Sequence, residues 1–139
     1  MLKTDKAKEN IKLGEAVAEK YQSNPDFKAV GEQGLMVKVI TEGDGQVINP
    51  NAIVMASIEE KLAVTGTKIR SIGSTPMYAG RASNPILNAV IPFMSVGETA
   101  EFLVPYELAY GVLGDENLGV GPCETLLCTV TIKPYGAEK

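Results

Sequence analysis

The chain has 139 residues, of which 45% are hydrophobic and 22% charged, as expected for one globular domain with a real hydrophobic core. Its net charge is −4, and residues 34–139 carry the whole acidic excess, so there is no basic stripe for nucleic acid or an anionic membrane. The absence of histidine excludes Ser–His and Cys–His nucleophile pairs, and two cysteines are too few for a closed zinc site. We therefore expect no metal and no cofactor.

The ends and the cysteines are also informative. No apolar run approaches membrane-spanning length, and MLKTDKAKEN lacks the apolar core of a signal peptide. The compartment stays open: cytoplasmic if the chain is complete, and the cell envelope if a leader was removed upstream. Cys123 and Cys128 are five apart on a predicted strand, and this odd spacing sends them to opposite faces, which argues against a disulfide between them.

The chain begins with a predicted amphipathic helix over residues 5–22. Thr4 or Asp5 can cap its start, and the residue before Pro25 ends it. Its apolar stripe consists of Ile11, Gly14, Val17, Ala18 and Tyr21. GEQG, residues 31–34, indicates a hinge, so we predict a helical extension over 1–33 and a main domain over 34–139. The helix could mediate a homodimer or fold onto its own domain, and the sequence slightly favours the second.

Strands dominate after the hinge. Alternating apolar residues and turn signals predict antiparallel strands at 35–43, 51–64 (with a bulge or break), 65–73, 99–105 and 125–133. One short helix interrupts them: Asn84 can cap it, Pro85 suits its first position and Pro92 ends it. The fold class is therefore α+β, an antiparallel half-barrel sheet wrapped over one short helix, with a gap that Tyr110 can line.

Three stretches carry a family resemblance. They are MSVGETAEFLVPYELAYG (94–111), GLMVKVITEGDG (34–45) and ETLLCTVTIK (124–133). Together they resemble the FKBP family of peptidyl-prolyl cis-trans isomerases over roughly residues 34–134. The lead-in LGEAVAEKYQ…GEQGLMVKVI is similar to the bacterial Mip- and FkpA-like branch.

The resemblance implies a substrate and a mechanism. The partners would be proline-containing peptides or unfolded proteins, and Tyr110 would contact a substrate carbonyl. Rotation about a peptide bond has a barrier of ~18–20 kcal/mol, set by amide resonance. An apolar pocket that desolvates the amide and binds its twisted form lowers that barrier without acid–base groups.

The chain departs from the family where the pocket would lie. Ile69 and Arg70 replace an aromatic residue and an acid, and Leu87 replaces a tryptophan. Further replacements are Ser83 and Asn84 for two aliphatics, Ala56 for a tyrosine, Cys128 for a phenylalanine, and Leu118 to Pro122 for an Ile-Ile-Pro-Pro run. The predicted substrate-binding set is Tyr110, Ile69, Leu87, Val120, Leu118, Cys128 and Arg70.

Several of these residues have a simpler interpretation. Tyr110 could only pack a loop, although the resemblance favours ligand contact. Arg70 is more simply a strand residue in an ion pair with Glu59, Glu60 or Asp115 than a ligand anchor, and Cys128 is more simply a small buried hydrophobe. Ile69, Leu87 and Val120 could be plain core.

Three functions follow from these alternatives. The first is an FKBP-type isomerase, weakened by its altered pocket, and the second is a non-catalytic, chaperone-like module that binds peptides or a partner. The third is a pocket for an anionic small molecule near Arg70, which no other sequence feature supports. An apolar cavity formed by Ile69, Leu87, Val120 and Tyr110 would favour catalysis. Arg70, Ser83 and Asn84 pointing into that cavity would exclude the desolvation mechanism.

Overall fold

The computed structural model describes residues 4–136, which form two α-helices and six strands. The helices are α1 (Asp5–Gln22) and α2 (Pro85–Val90). The strands are β1 (Lys28–Val30), β2 (Leu35–Thr41), β3 (Ile53–Leu62), β4 (Lys68–Tyr78), β5 (Thr99–Val104) and β6 (Leu126–Pro134). The predicted α+β class, with an N-terminal helix and a short second helix, is confirmed.

One antiparallel sheet contains all six strands, in the order β1-β2-β5-β6-β3-β4. Glu60 of β3 lies between two neighbouring strands of this sheet. It pairs with Arg70 of β4 on one side and with Cys128 of β6 on the other. The register of β3 against β4 shifts between Glu60 and Lys61, so the predicted irregularity in this strand is present.

The core lies between α2 and one face of the sheet. Ile86, Leu87 and Val90 of α2 are at most 1% exposed and share a cluster with inward residues of the strands. Asn84 starts α2 as predicted, because its side-chain oxygen accepts hydrogen bonds from the backbone N–H groups of Ile86 and Leu87 at 2.8 and 3.1 Å. This cap fixes where Asn84 sits relative to the sheet, which matters for the site below.

Helix α1 packs against its own domain, which is one of the two predicted arrangements. The Asn10 amide donates a hydrogen bond to the carbonyl of Pro122 at 2.8 Å, across 112 residues of sequence. Gly14 lies so close to Thr125 that an added Cβ would collide with the threonine hydroxyl. A cavity of about 260 Å³ lies at this interface, lined in part by Met36 and Leu103 of the sheet. A homodimer through α1 stays a prediction.

Three differences from the sequence analysis concern the strands. Strand β1 was not predicted; it lies within residues 1–33 and pairs with β2. Strand β4 runs to Tyr78 instead of residue 73. The strand expected from residue 125 begins at Leu126, so Cys123 lies outside it, in a turn with φ of 57°. Both thiols are buried and free. Among the described residues, no helix is long and apolar enough to cross a membrane.

Candidate functional site

Tyr110 occupies a tightly folded segment between β5 and β6. A short 3-10 turn over Tyr106–Leu108 precedes it, and Gly111 follows with φ of 71°, a conformation that glycine adopts without a steric cost. The carbonyl of Gly111 accepts a hydrogen bond from the N–H of Cys123 at 3.0 Å, which ties the far end of the loop back to Tyr110. The chain therefore bends directly after the tyrosine, and its ring is held partly buried against the core.

The tyrosine hydroxyl meets a buried carboxylate. Glu60 is 0% exposed, and its Oε1 accepts a hydrogen bond from the Tyr110 hydroxyl at 2.6 Å. Its Oε2 accepts from Asn84 Nδ2 at 2.8 Å and from Arg70 Nε at 3.2 Å. Arg70 Nη2 also donates to the Tyr110 oxygen at 2.9 Å. These four side chains, Glu60, Arg70, Asn84 and Tyr110, are called the Glu60 cluster below.

Each member of the Glu60 cluster comes from a different element. Glu60 lies on β3, Arg70 on β4, Asn84 at the start of α2 and Tyr110 in the β5–β6 loop. Asn84 uses its oxygen to cap α2 and its amide to hold Glu60, so the cap and the cluster are one structure. A buried carboxylate is stable only when paired and fully hydrogen-bonded, and here it has three side-chain donors, one of which is a cation. No buried side-chain polar atom of residues 4–136 lacks a partner.

The contacts of the Glu60 cluster shift the pKa values of two of its members and of one neighbouring thiol. Burial, together with the hydrogen bond and the charge of Glu60, raises the pKa of Tyr110, against the opposing effect of Arg70. Burial also raises the pKa of the Cys128 thiol, and Glu60 on the adjacent strand adds to that shift. For Arg70, burial lowers the pKa, but Glu60 and Tyr110 outweigh it and the net shift is upward. At neutral pH the tyrosine and the thiol are therefore neutral, and the arginine is charged.

The predicted substrate-binding residues divide into covered and accessible ones. Leu87, Val120 and Cys128 are at most 3% exposed, because the protein's own core covers them. Ile69, Leu118 and Tyr110 are partly buried and pack against the same core cluster. The side chain of Arg70 is 33% exposed. The accessible part of the predicted set is therefore Tyr110 and Arg70, with partial contributions from two aliphatic residues.

The structure also selects the partner of Arg70 among the three acids considered. Glu60 forms the ion pair, while Glu59 pairs with Lys68 at 3.4 Å. Asp115 accepts a hydrogen bond from the N–H of Asn117, within its own turn. Arg70 is thus an ion-paired strand residue, as its simpler interpretation stated, and it also reaches the Tyr110 hydroxyl.

Sequence reasoning missed that Glu60 would lie at the centre of the site. Ala56, assigned to a pocket position, is buried but pairs with Thr75 and Ile132, and Ser83 is exposed. The overlooked signal was periodicity: Val54, Ala56, Ile58 and Glu60 occupy alternate positions of β3, and all four are buried. An acid at an inward position of a strand requires donors nearby, and Arg70, ten residues later, is the natural one.

Solved structures of other proteins share this fold. The chain is similar to a peptidyl-prolyl cis-trans isomerase from Pseudomonas syringae pv. tomato, with 17% identity and a TM-score of 0.78 over 91% of this chain and 93% of that one. It is similar to FkpA from Escherichia coli, with 22% identity and a TM-score of 0.77 over 93% of this chain and 62% of FkpA.

A plant structure gives the same result. The N-terminal domain of FKBP42 from Arabidopsis thaliana has 20% identity and a TM-score of 0.67, with 78% of this chain and 91% of that domain covered. Neither a protein-family model nor a curated protein sequence matches the chain. At these identities the comparisons establish the fold, and the fold is that of the FKBP-type isomerases.

Proposed function

We propose that this chain is an FKBP-type prolyl-peptide-binding protein that retains at most a slow peptidyl-prolyl cis-trans isomerase activity. Its partners are proline-containing segments of peptides or unfolded proteins, which bind at the face formed by Tyr110. The fold and the position of Tyr110 support binding. The single observation that limits catalysis is the 2.6 Å hydrogen bond from the Tyr110 hydroxyl to Glu60.

A tyrosine has one hydroxyl proton to donate. In this chain it points to Glu60 Oε1, so donation to a substrate carbonyl requires that bond to break. A hydrogen bond to a charged group contributes roughly 1.5–3 kcal/mol, and leaving a buried carboxylate short of a donor costs a similar amount. When this cost is added to the activation free energy of isomerisation, the rate is roughly ten- to a hundredfold lower than with a free hydroxyl.

The polarity of the site lowers catalysis further. The desolvation mechanism needs apolar walls around the twisted amide. Arg70 and Asn84 instead converge on the same carboxylate as Tyr110, whereas Ser83 does not join them. Leu87 and Val120, which would form apolar walls, are at most 3% exposed because the core covers them. These contacts support a site that holds a peptide better than it isomerises one.

Exchange NMR on X-Pro peptides tests this proposal. We expect amide shifts around Tyr110 on adding peptide, and an acceleration of cis-trans exchange at least about tenfold below that of the Pseudomonas syringae isomerase. Both effects should weaken in Tyr110→Phe and persist in Tyr135→Phe, a matched control at an exposed tyrosine.

The outcomes separate three functions. Acceleration equal to the reference isomerase would contradict the limit set by Glu60. Shifts without any acceleration would identify a non-catalytic, chaperone-like module, the second function that the buried polar groups favour. An absence of both would refute peptide binding at this face.

A further inference from the structure

One edge of the Arg70 guanidinium has no hydrogen-bond partner among residues 4–136. A guanidinium carries five N–H donors in a planar fork. Arg70 uses Nε for Glu60 Oε2 at 3.2 Å and one N–H of Nη2 for the Tyr110 oxygen at 2.9 Å. Nε and Nη2 lie along the same edge of the planar guanidinium, so this edge is occupied. The opposite edge, formed by Nη1 and the second N–H of Nη2, is called the outer edge below.

The outer edge belongs to a guanidinium that the fold holds in place and leaves partly exposed. Two hydrogen bonds fix the guanidinium plane, and Glu60, which anchors it, is fully buried. The Arg70 side chain nevertheless remains 33% exposed. A typical surface arginine loses rotamer freedom when it binds a ligand, whereas this one has already been immobilised by the fold. The position lies beside Tyr110, the residue at which we propose that peptides bind.

No second acid competes for the outer edge. Glu60 is the one carboxylate of the described residues within salt-bridge distance of Arg70, and it approaches from the opposite side. Glu59 is engaged by Lys68 and Asp115 by its own turn. A planar fork with two parallel N–H groups matches the two oxygens of a carboxylate, which is stronger and more directional than a single contact with a carbonyl.

We propose that the outer edge of Arg70 recognises a carboxylate next to the bound proline, so that the site selects acidic X-Pro segments. This inference rests on the proposed function and names its substrate class. The carboxylate can come from an Asp or Glu side chain before the proline or from the chain terminus directly after it. Tyr110 then holds the guanidinium plane in position, and Arg70 supplies the donors that face the ligand.

A peptide panel tests the selection on the intact chain. Five peptides are capped at both ends and carry Glu-Pro, Gln-Pro, Leu-Pro, Lys-Pro or, without proline, Glu-Ala. A sixth peptide is capped only at its N-terminus and ends in Leu-Pro with a free carboxylate. NMR titration gives each dissociation constant. We expect Glu-Pro to bind about three- to fivefold more tightly than Gln-Pro, towards the upper end of the range for an exposed ion pair because the fork is bidentate.

Two variants identify the residue responsible. Arg70→Lys keeps the charge and loses the fork, so the Glu-over-Gln preference should fall to about twofold or less. Arg81→Lys is the matched control, because Arg81 is exposed and lies over the ring of Tyr78 at 4.5 Å. Its preference should equal that of the wild type. The wild-type panel decides the question alone if Arg70→Lys does not fold.

Each outcome bears on one proposal. Equal binding of Glu-Pro, Gln-Pro and Leu-Pro would overturn carboxylate selection and leave peptide binding intact. Preference for the free-terminus peptide over Glu-Pro would assign the carboxylate to a chain end. Equal affinity for Glu-Ala and Glu-Pro would keep the carboxylate selection and refute the requirement for proline. A preference unchanged in Arg70→Lys would refute the role of this fork.

Discussion

Replacing Glu60 with glutamine tests the central feature of the site. Glutamine has nearly the same shape, so no cavity forms, but the negative charge is lost. Glu60 accepts three side-chain hydrogen bonds, from Tyr110, Asn84 and Arg70. In the variant, a neutral amide oxygen can still accept from Asn84 and Arg70, but the NH2 group cannot accept from the Tyr110 hydroxyl. The difference is roughly 0.5–1 kcal/mol per bond, so the free energy of unfolding should fall by about 2 kcal/mol.

That loss is measurable and has a close control. With an unfolding entropy of about 2.1 cal/mol/K per residue, a loss of about 2 kcal/mol in a chain of this length lowers Tm by about 7 °C. Glu59→Gln makes the same chemical change at the adjacent residue. Its ion pair with Lys68 is 3.4 Å long, and the two side chains are 40% and 58% exposed, so the expected loss is about 0–0.5 kcal/mol. Urea unfolding followed by circular dichroism compares the two variants directly.

The same variant has a second readout in catalysis. A glutamine amide at position 60 can donate to the Tyr110 oxygen, which frees the tyrosine proton to face a substrate carbonyl. Isomerase activity per folded molecule should therefore rise about tenfold or more while stability falls. Equal unfolding free energies for Glu60→Gln and Glu59→Gln, within about 0.5 kcal/mol, would refute the account of Glu60 as a buried, ion-paired carboxylate. An unchanged isomerase rate would refute the limit placed on Tyr110.

Two further predictions concern α1 and the alkaline side of the stability curve. Gly14→Leu should lower the free energy of unfolding by about 2 kcal/mol despite the higher helix propensity of leucine, because the side chain collides with Thr125. The control, Ala16→Leu on the exposed side of α1, should be within about 0.5 kcal/mol of wild type. Equal urea midpoints for the two variants would contradict the docking of α1. Because the pKa of Tyr110 is raised in the folded state, its contribution to stability is complete below its pKa in the unfolded chain, about 10. Above pH 10 this contribution is lost, and the free energy of unfolding falls by up to ~1.4 kcal/mol per pH unit. Tyr110→Phe should therefore flatten the fall in stability above pH 10, and an identical slope in both proteins would contradict the shift.

The fold was largely predictable because its signals are local. The helix over residues 5–22, the Asn84 cap and the strand ending in VTIK each follow from periodicity or from a residue with one structural role. Strand β1 was not predictable in this way, because three residues carry no alternation and pair only because β2 lies beside them. Strand β4 extends through a Gly-Ser-Thr-Pro stretch that is typical of turns, because β3 holds it in register as far as Tyr78.

The site was less predictable, because its chemistry depends on contacts between distant residues. Tyr110 and Arg70 were singled out from the sequence, and Glu60 was considered only as one of three partners for Arg70. The three residues come together across 40 and 50 positions of sequence, and no local pattern specifies that one hydroxyl will serve two of them. The burial of Glu60 can be predicted from the alternation of inward positions along its strand. Which three residues donate hydrogen bonds to it can be known only from the tertiary structure.

The Glu60 cluster also constrains how any ligand can bind. Glu60 and Arg70 carry opposite charges, so the pair adds no net charge to the face, and its inner hydrogen bonds are already complete. A ligand that breaks one of them leaves a buried carboxylate short of a donor, which costs about as much as a new hydrogen bond supplies. A ligand that uses the outer edge of Arg70 breaks none. Tight binding therefore requires ligands that add to the cluster, and for this reason we expect selection at Arg70 and slow catalysis at Tyr110 to occur together.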